Sequence, residues 1–255
     1  MDITMEMYLI VCPLVFLAGF VDSIAGGGGL ISLPAYLLAG LPAHYALGTN
    51  KAAMSVGTFA ATLKYLKAGQ VDLKVGLLSG ASSFIGAAIG SSLSLMISER
   101  VLQGLMLAIL PVIAVLLLIK RDFGASSDTL VQAGAKKKII ASLGAGLVIG
   151  CYDGLIGPGT GTFLILAFTA LIGFDLLKSS GCAKVTNLAS NISSLIVFIL
   201  HGKVLVALAI PAAVCAALGN YFGARLAISG GSKYVRYTVF AVIGLLFVKM
   251  LMDLF

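Results

Sequence analysis

Charge is scarce in this chain: it makes up 11% of the 255 residues, against roughly 25% in a soluble domain. Hydrophobic residues make up 60%, and the mean hydropathy is +1.09. Too few polar side chains remain to cover a water-exposed sphere of this size. Disorder, which needs little hydrophobicity and much charge, is excluded for the same reason. Tryptophan is absent and cysteine sparse. Cys12, Cys151, Cys182 and Cys215 lie in apolar segments without CxxC or metal-type spacing, so they read as buried thiols acting as small apolar side chains. No basic stretch precedes the first apolar run, where Asp2 and Glu6 stand instead, and a cleavable signal peptide is not expected. The net charge of +7 has no basic tail, stripe or aromatic-basic module behind it. Nucleic acid is therefore not an expected partner, and loop lysines and arginines that fix membrane orientation account better for the charge. What remains is an integral membrane protein.

Apolar runs long enough to cross the hydrocarbon layer, about 20 residues each, lie near 45–66, 75–97, 101–119, 184–200, 204–228 and 234–253. Two further stretches, 7–40 and 139–174, are longer but interrupted. The first break is Gly26 to Gly29 followed by Pro34; the second is Gly157-Pro158-Gly159-Thr160-Gly161. In a helix interior glycine costs about 1 kcal/mol against alanine and proline about 3, so each stretch is predicted as two helical pieces meeting at an unwound turn. Non-helical backbone at membrane depth persists only where protein buries it or water reaches it. The breaks are therefore the first places to look for a site.

The longest polar loop, 120–138, carries Lys120, Arg121, Lys136, Lys137 and Lys138 against Asp122 and Asp128, which places it in the cytoplasm. Counting crossings from it puts Lys64, Lys67, Lys74, Lys178, Arg225, Lys233 and Arg236 inside, and both termini outside. Lys203 and Lys249 do not follow. Tyr45, Tyr65, Tyr234 and Tyr237 stand near span ends, as interfacial aromatics do.

The chain also matches itself. At an offset of 133, Gly48 pairs with Gly181, Lys51 with Lys184, Gly69 with Gly202, and Gly86 and Gly90 with Gly219 and Gly223. At an offset of 131, Asp22 pairs with Asp153, each just ahead of a glycine-rich break. Each half then holds a broken hairpin followed by three crossings. An odd number of crossings inserts the second copy upside down, the inverted-repeat plan of many secondary transporters. The expected architecture is an all-α polytopic membrane protein: repeat 1 in 1–120, a cytoplasmic linker in 121–138 and repeat 2 in 139–255. The Gly86/Gly90 and Gly219/Gly223 spacings read as close helix packing.

Charges inside the membrane are costly and mark candidate sites. Asp22 and Asp153 are candidates for accepting a proton or a coupling cation; the alternative is a carboxylate capping the helix after each break. Lys51 and Lys184, in Gly48-Thr49-Asn50-Lys51 and Gly181-Cys182-Ala183-Lys184, read as anion-binding groups near helix starts, or else as snorkelling interfacial lysines. Gly26, Gly27, Gly28, Gly29, Gly157, Gly159 and Gly161 offer backbone N–H groups to an anion. Neither cluster continues into the Gly-Lys-Ser/Thr of a nucleotide loop. Thr49, Asn50, Asn187 and Asn191, with Thr186 and Ser190, supply neutral hydrogen-bonding groups; helix–helix bonding is the plainer reading of each. His44 and His201 read as loop residues. No catalytic residues, metal ligands or cofactor motif emerge, so an enzyme is not expected.

Asp22-Ser23-Ile24-Ala25-Gly26-Gly27-Gly28-Gly29-Leu30-Ile31-Ser32-Leu33-Pro34 followed by Gly48-Thr49-Asn50-Lys51 resembles the sulfite exporter TauE/SafE family of membrane proteins. So do Gly157-Pro158-Gly159-Thr160-Gly161 and Ala183-Lys184-Val185-Thr186-Asn187 with Asn191, although Pro158 and Thr160 depart from the family's run of glycines. The resemblance spans nearly the whole chain. It implies export of sulfite, sulfoacetate or related organosulfur anions across a bacterial inner membrane. Together these readings predict a secondary transporter of a small anion, working by alternating access around a midplane site between the repeats. An anion channel with the breaks as its filter is the alternative. The expected partners are the anionic substrate and the lipid bilayer, with a homodimer as the oligomer to test.

Overall fold

The computed structural model describes residues 3–106, 108–109 and 134–254, with side chains as far as residue 230. Every regular element among them is helical. The first half runs α1 (Met5–Ala25), α2 (Gly29–Leu38), α3 (Ala43–Lys67), α4 (Leu73–Met96) and α5, which opens at 99 and is followed to 106. The second runs α6 (Ala135–Leu155), α7 (Thr160–Ala167) with a wider π turn (Phe168–Ile172), α8 (Leu176–Leu200) and α9 (Val206–Leu254). Among the described residues, five helices are long and apolar enough to cross a membrane: α1, α4, α6, α8 and Val206–Gly230 of α9. The chain is an all-α polytopic membrane protein. α2 has 10 residues, about 15 Å at 1.5 Å per residue, half of the ~30 Å hydrocarbon layer.

Both predicted breaks are real, and narrower than expected. Gly26 ends α1 in the left-handed region at φ +78°, its N–H donating to the Asp22 carbonyl at 2.8 Å. Gly29 already begins α2, and Pro34 lies within that helix. In the second half Gly157 and Gly159 take φ of +90° and +76°, and Thr160 opens α7. Four other expectations change. α8 begins at Leu176, eight residues before the predicted 184, because Asp175 caps it by accepting from Lys178 N–H at 2.9 Å. Lys136, Lys137 and Lys138 open α6 rather than lying in a loop. The spans 204–228 and 234–253, predicted as two separate crossings, are carried by one unbroken helix with no reversal between them, since Gly230, Gly231 and Ser232 interrupt the apolar pattern but, without proline, not the backbone bonding. Tyr65 is fully buried, its hydroxyl donating to the Ser23 carbonyl at 2.8 Å, instead of facing the interface. Residues 110–119 of the third predicted span, most of the linker, and the side chains of Tyr234, Tyr237 and Lys249 lie outside the described residues.

The helices turn their polar side inward. On α4, Leu77, Ile85, Ile89 and Leu93 are exposed while Ser79, Ser83, Gly86, Gly90 and Ser94 are buried. Lipid tails supply no hydrophobic drive between helices, so close approach and hydrogen bonding hold them together. Two of the buried serines bond within their own helix, Ser79 to the Val75 carbonyl at 2.7 Å and Ser91 to the Ala87 carbonyl at 2.6 Å.

Packing between the halves is reciprocal. A Cβ placed on Gly86 or Gly90 of α4 falls on the Leu147 or Cys151 carbonyl of α6. One on Gly219 or Gly223 of α9 falls on the Phe16 or Phe20 carbonyl of α1. Gly48 and Gly181, at the same offset, lie against the carbonyls of Lys203 and Gln70. Gly90→Ala and Gly223→Ala are each expected to lower stability by about 1–3 kcal/mol through overpacking. Gly144→Ala, on α6 with open space around it, is the control. Thermal unfolding of the purified variants checks the contrast.

Two apolar clusters fix which ends lie together. One joins Val11 of α1, Tyr36 and Ala39 at the end of α2, Ala46 at the start of α3 and Leu208 at the start of α9. The other joins Ala145 of α6, Ile172, Leu176 at the start of α8, Tyr65 at the end of α3 and Val75 at the start of α4. So α2 doubles back beside α1, and α6 starts at the opposite end of the molecule from α1.

Candidate functional site

The two breaks meet at the centre. A Cβ on Gly26 falls on the backbone of Gly161 and Thr162, and the Thr162 hydroxyl donates to the Ala25 carbonyl at 2.8 Å. Gly29, the first residue of α2, lies beside Pro158 and Gly157. The N-termini of the two short helices α2 and α7 thus converge, bringing together the positive ends of two helix dipoles. The C-terminal turns of α1 and α6 converge there too, and each carries an aspartate.

Those aspartates sit at the helix end where negative charge is disfavoured, and each is held by a lysine from the other half. Lys184 of α8 donates to Asp22 Oδ2 at 2.7 Å, and Lys51 of α3 donates to Asp153 Oδ2 at 2.6 Å. Lys51 and Lys184 are 2% and 0% exposed, so neither snorkels to the interface. Nor does either stand at a helix start: α3 and α8 begin at Ala43 and Leu176, which puts both lysines in the third turn. The capping role is partial. Asp22 Oδ1 accepts from Gly28 N–H only at 3.4 Å, whereas Asp153 Oδ1 lies 2.8 Å from the Thr160 hydroxyl. That hydroxyl is also 2.8 Å from the Gly157 carbonyl and has one proton to give.

Between the breaks lies a cavity of about 20 Å³ with a mixed polar and apolar lining, room for a water molecule and too little for a sulfur oxyanion. Asp22, Asp153, Lys51, Asn50, Asn187 and Asn191 line it, with Gly26, Gly29, Gly157 and Gly161 of the breaks. Asn191 Oδ1 accepts from Lys51 at 3.1 Å, and its Nδ2 donates to the Thr58 hydroxyl at 3.2 Å. The Asn50 Oδ1 is buried with no hydrogen-bond partner.

Five of the predicted residues do not line the cavity. Lys184 is sealed behind Asp22. Gly27 and Gly28 shape the turn, their carbonyls accepting from Leu30 and Ile31. Gly159 supplies the left-handed residue ahead of α7. The Thr49 hydroxyl accepts from Leu205 N–H at 3.1 Å and so serves the start of α9. Of the other neutral groups, Thr186 bonds Ser79 of α4 at 2.6 Å, and Ser190 donates to the Asn187 carbonyl at 2.9 Å. His44 is not a loop residue. It lies buried in the first turn of α3, with Nδ1 at 2.5 Å from Glu99 and Nε2 at 2.9 Å from the Ser94 carbonyl. His201 does cap the exposed end of α8.

Sequence reasoning missed the lining residues Leu33, Leu47, Met54, Ile156 and Thr160. One signal was there: Met54 stands at the 133 offset from Asn187, and Thr160 lies inside the second break.

Residues 11–250 match the family model described as "Sulfite exporter TauE/SafE". The chain belongs to the TauE/SafE sulfite exporter family. It is 34% identical over 252 residues to a probable membrane transporter protein, ORF9, of a Sinorhizobium species, covering 99% of this chain and 95% of that one. It is 36% identical over 237 residues to the probable membrane transporter protein YfcA of Escherichia coli K12, covering 93% and 87%. To the probable membrane transporter protein YdhB of Bacillus subtilis it is 25% identical over 221 residues, covering 87% and 89%. No solved structure matches the chain. This TauE/SafE member is a multi-pass bacterial membrane protein, a transporter and not an enzyme.

Proposed function

We propose that this transporter is a secondary carrier that exports a small anion, sulfite or an organosulfonate, by alternating access around the central cavity. Two inverted repeats make up the chain, residues 1–120 and the half that opens with α6 at Ala135, with the basic segment between them as the cytoplasmic linker. The observation that carries the reading is Lys51: an ammonium group lining a cavity on which two helix N-termini converge. Backbone N–H groups and a cation together suit an oxyanion, and an anion near the midplane between broken helices fits the transporter plan. The reciprocal glycine packing and the opposite starting ends of α1 and α6 support the inverted arrangement. Contact between the breaks, which leaves about 20 Å³ of space, favours a gated carrier over an open filter. The family's description supports sulfur oxyanions and export. A membrane potential negative inside adds about 2.3 kcal/mol per charge per 100 mV towards anion exit.

Purified protein in liposomes, screened with sulfite, sulfate, sulfoacetate, taurine and carboxylates, is expected to show saturable exchange of a sulfur oxyanion. Single-channel currents would establish the pore instead. The double variant Lys51→Met/Asp153→Asn, which leaves no buried charge unpaired, is expected to bind that anion about tenfold to a hundredfold more weakly, the loss of a charged hydrogen bond. Unchanged affinity in a folded double variant removes Lys51 from the site.

A further inference from the structure

We propose that Asp153 is a tethered stand-in for the substrate: it occupies Lys51 in the empty site, is displaced by the incoming anion, and takes up one proton as it leaves. The inference rests on the anion-carrier reading above and adds the residue and the event that link the anion to a proton.

The two crossed ion pairs are equivalent by sequence and unequal in place. The Lys184 side chain is 0% exposed and absent from the cavity wall, so its ammonium is out of a substrate's reach. Lys51, Asp153 and Asn191 all stand on that wall. The polar surroundings are one-sided as well. At the 133 offset, Asn50 corresponds to Ala183, and Asn187 to Met54. Asn50 is 6% exposed, lines the cavity, and its Oδ1 has no partner. That oxygen is an unpaired polar atom on the cavity wall, and a half-turn of the amide presents its N–H groups to an anion oxygen.

Lys51 is therefore the cation an anion can reach, and Asp153 already holds it. An anion that takes the ammonium leaves a buried carboxylate without its counter-charge, which is strongly unfavourable. The groups around Asp153 do not replace that charge. α3 contributes Lys51 itself, α7 the neutral Thr160, and α1 Asp22 across the cavity, already committed to Lys184 of α8. Tyr152 neighbours it on α6, and the stretch of α4 packed there is serine, glycine and alanine. A proton on Asp153 restores the balance. Before binding, Lys51 and Asp153 cancel; afterwards one anion charge cancels Lys51, the carboxyl is neutral, and Lys51 keeps its protons. A divalent sulfur oxyanion then crosses with one net negative charge, so the membrane potential still favours its exit.

The test is calorimetric titration of the full chain with sulfoacetate and with sulfate, both fully ionised near neutral pH, in two buffers of different ionisation enthalpy. The expected result is uptake of about one proton per bound anion, with affinity falling about tenfold per pH unit as pH rises. Asp153→Asn is expected to bind at least as tightly, with no proton uptake and a flat pH profile. Anion binding without proton uptake in the unmodified protein overturns the inference and leaves the carrier reading intact, and this measurement stands if the variant fails to fold. Proton uptake that persists in Asp153→Asn overturns it too. Absence of binding by every anion in the screen removes the carrier reading, and the inference with it.

Discussion

Replacing Lys184 with methionine is expected to cost the folded protein about 3–5 kcal/mol, and adding Asp22→Asn to return most of it. The ammonium is 2.7 Å from Asp22 Oδ2, and the two side chains are 0% and 3% exposed. Removing the lysine leaves a carboxylate at the C-terminal turn of α1, where the helix dipole also opposes it. Its remaining bond, from Gly28 N–H, is 3.4 Å long. The second substitution removes the stranded charge, so the two changes are far from additive. Thermal unfolding of the purified single and double variants reads this directly, with an apparent melting shift on the order of 10 °C for the single change. Lys51→Met is expected to cost less, because Lys51 and Asp153 border a cavity that a water molecule fits. If Lys184→Met melts with the unmodified protein, the sealed pair is not what joins the halves.

The same residues show what a sequence discloses and what it withholds. The clustered glycines at the two breaks are legible because their cost in a helix is largely local, and the short helices α2 and α7 follow from them, whereas Pro34 is accommodated inside α2. The duplicated Asp22/Asp153 and Lys51/Lys184 are legible as charges out of place in apolar runs. Their crossing is not: a repeat says that each half holds one aspartate and one lysine, and only the packed arrangement shows each lysine reaching into the other half. Local polarity misled twice. Lys178-Ser179-Ser180 reads as a loop because serine scores as polar. Within α8, however, Ser180 donates to the Leu176 carbonyl at 2.8 Å and is fully buried. His44 reads as a loop residue because its partner Glu99 lies 55 positions away. Which of the two lysines faces the cavity was not read from the sequence, although Asn50 against Ala183 and Met54 against Asn187 already set the copies apart beside them.

Three alanine substitutions separate the forces that hold the breaks together. Gly40 has φ +85° and nothing within 4 Å of an added Cβ, so Gly40→Ala meets only left-handed strain, about 1–2 kcal/mol. Gly161 has no positive φ, but its Cβ lies 2.5 Å from Gly26 Cα and 2.8 Å from the Gly26 carbonyl oxygen. Gly161→Ala therefore meets only overpacking, about 1–3 kcal/mol. Gly26 has φ +78°, and its Cβ falls on the Gly161 and Thr162 backbone. Gly26→Ala meets both penalties and is expected to melt lowest of the three. It also forces the end of α1 away from α7, breaking the Thr162 bond to the Ala25 carbonyl and moving Asp22 relative to Lys184. Transport is expected to be lost in Gly26→Ala and Gly161→Ala and kept in Gly40→Ala, as anion exchange in liposomes records. Were Gly161→Ala to match the unmodified protein in both melting and transport, the two breaks would not touch in the working transporter.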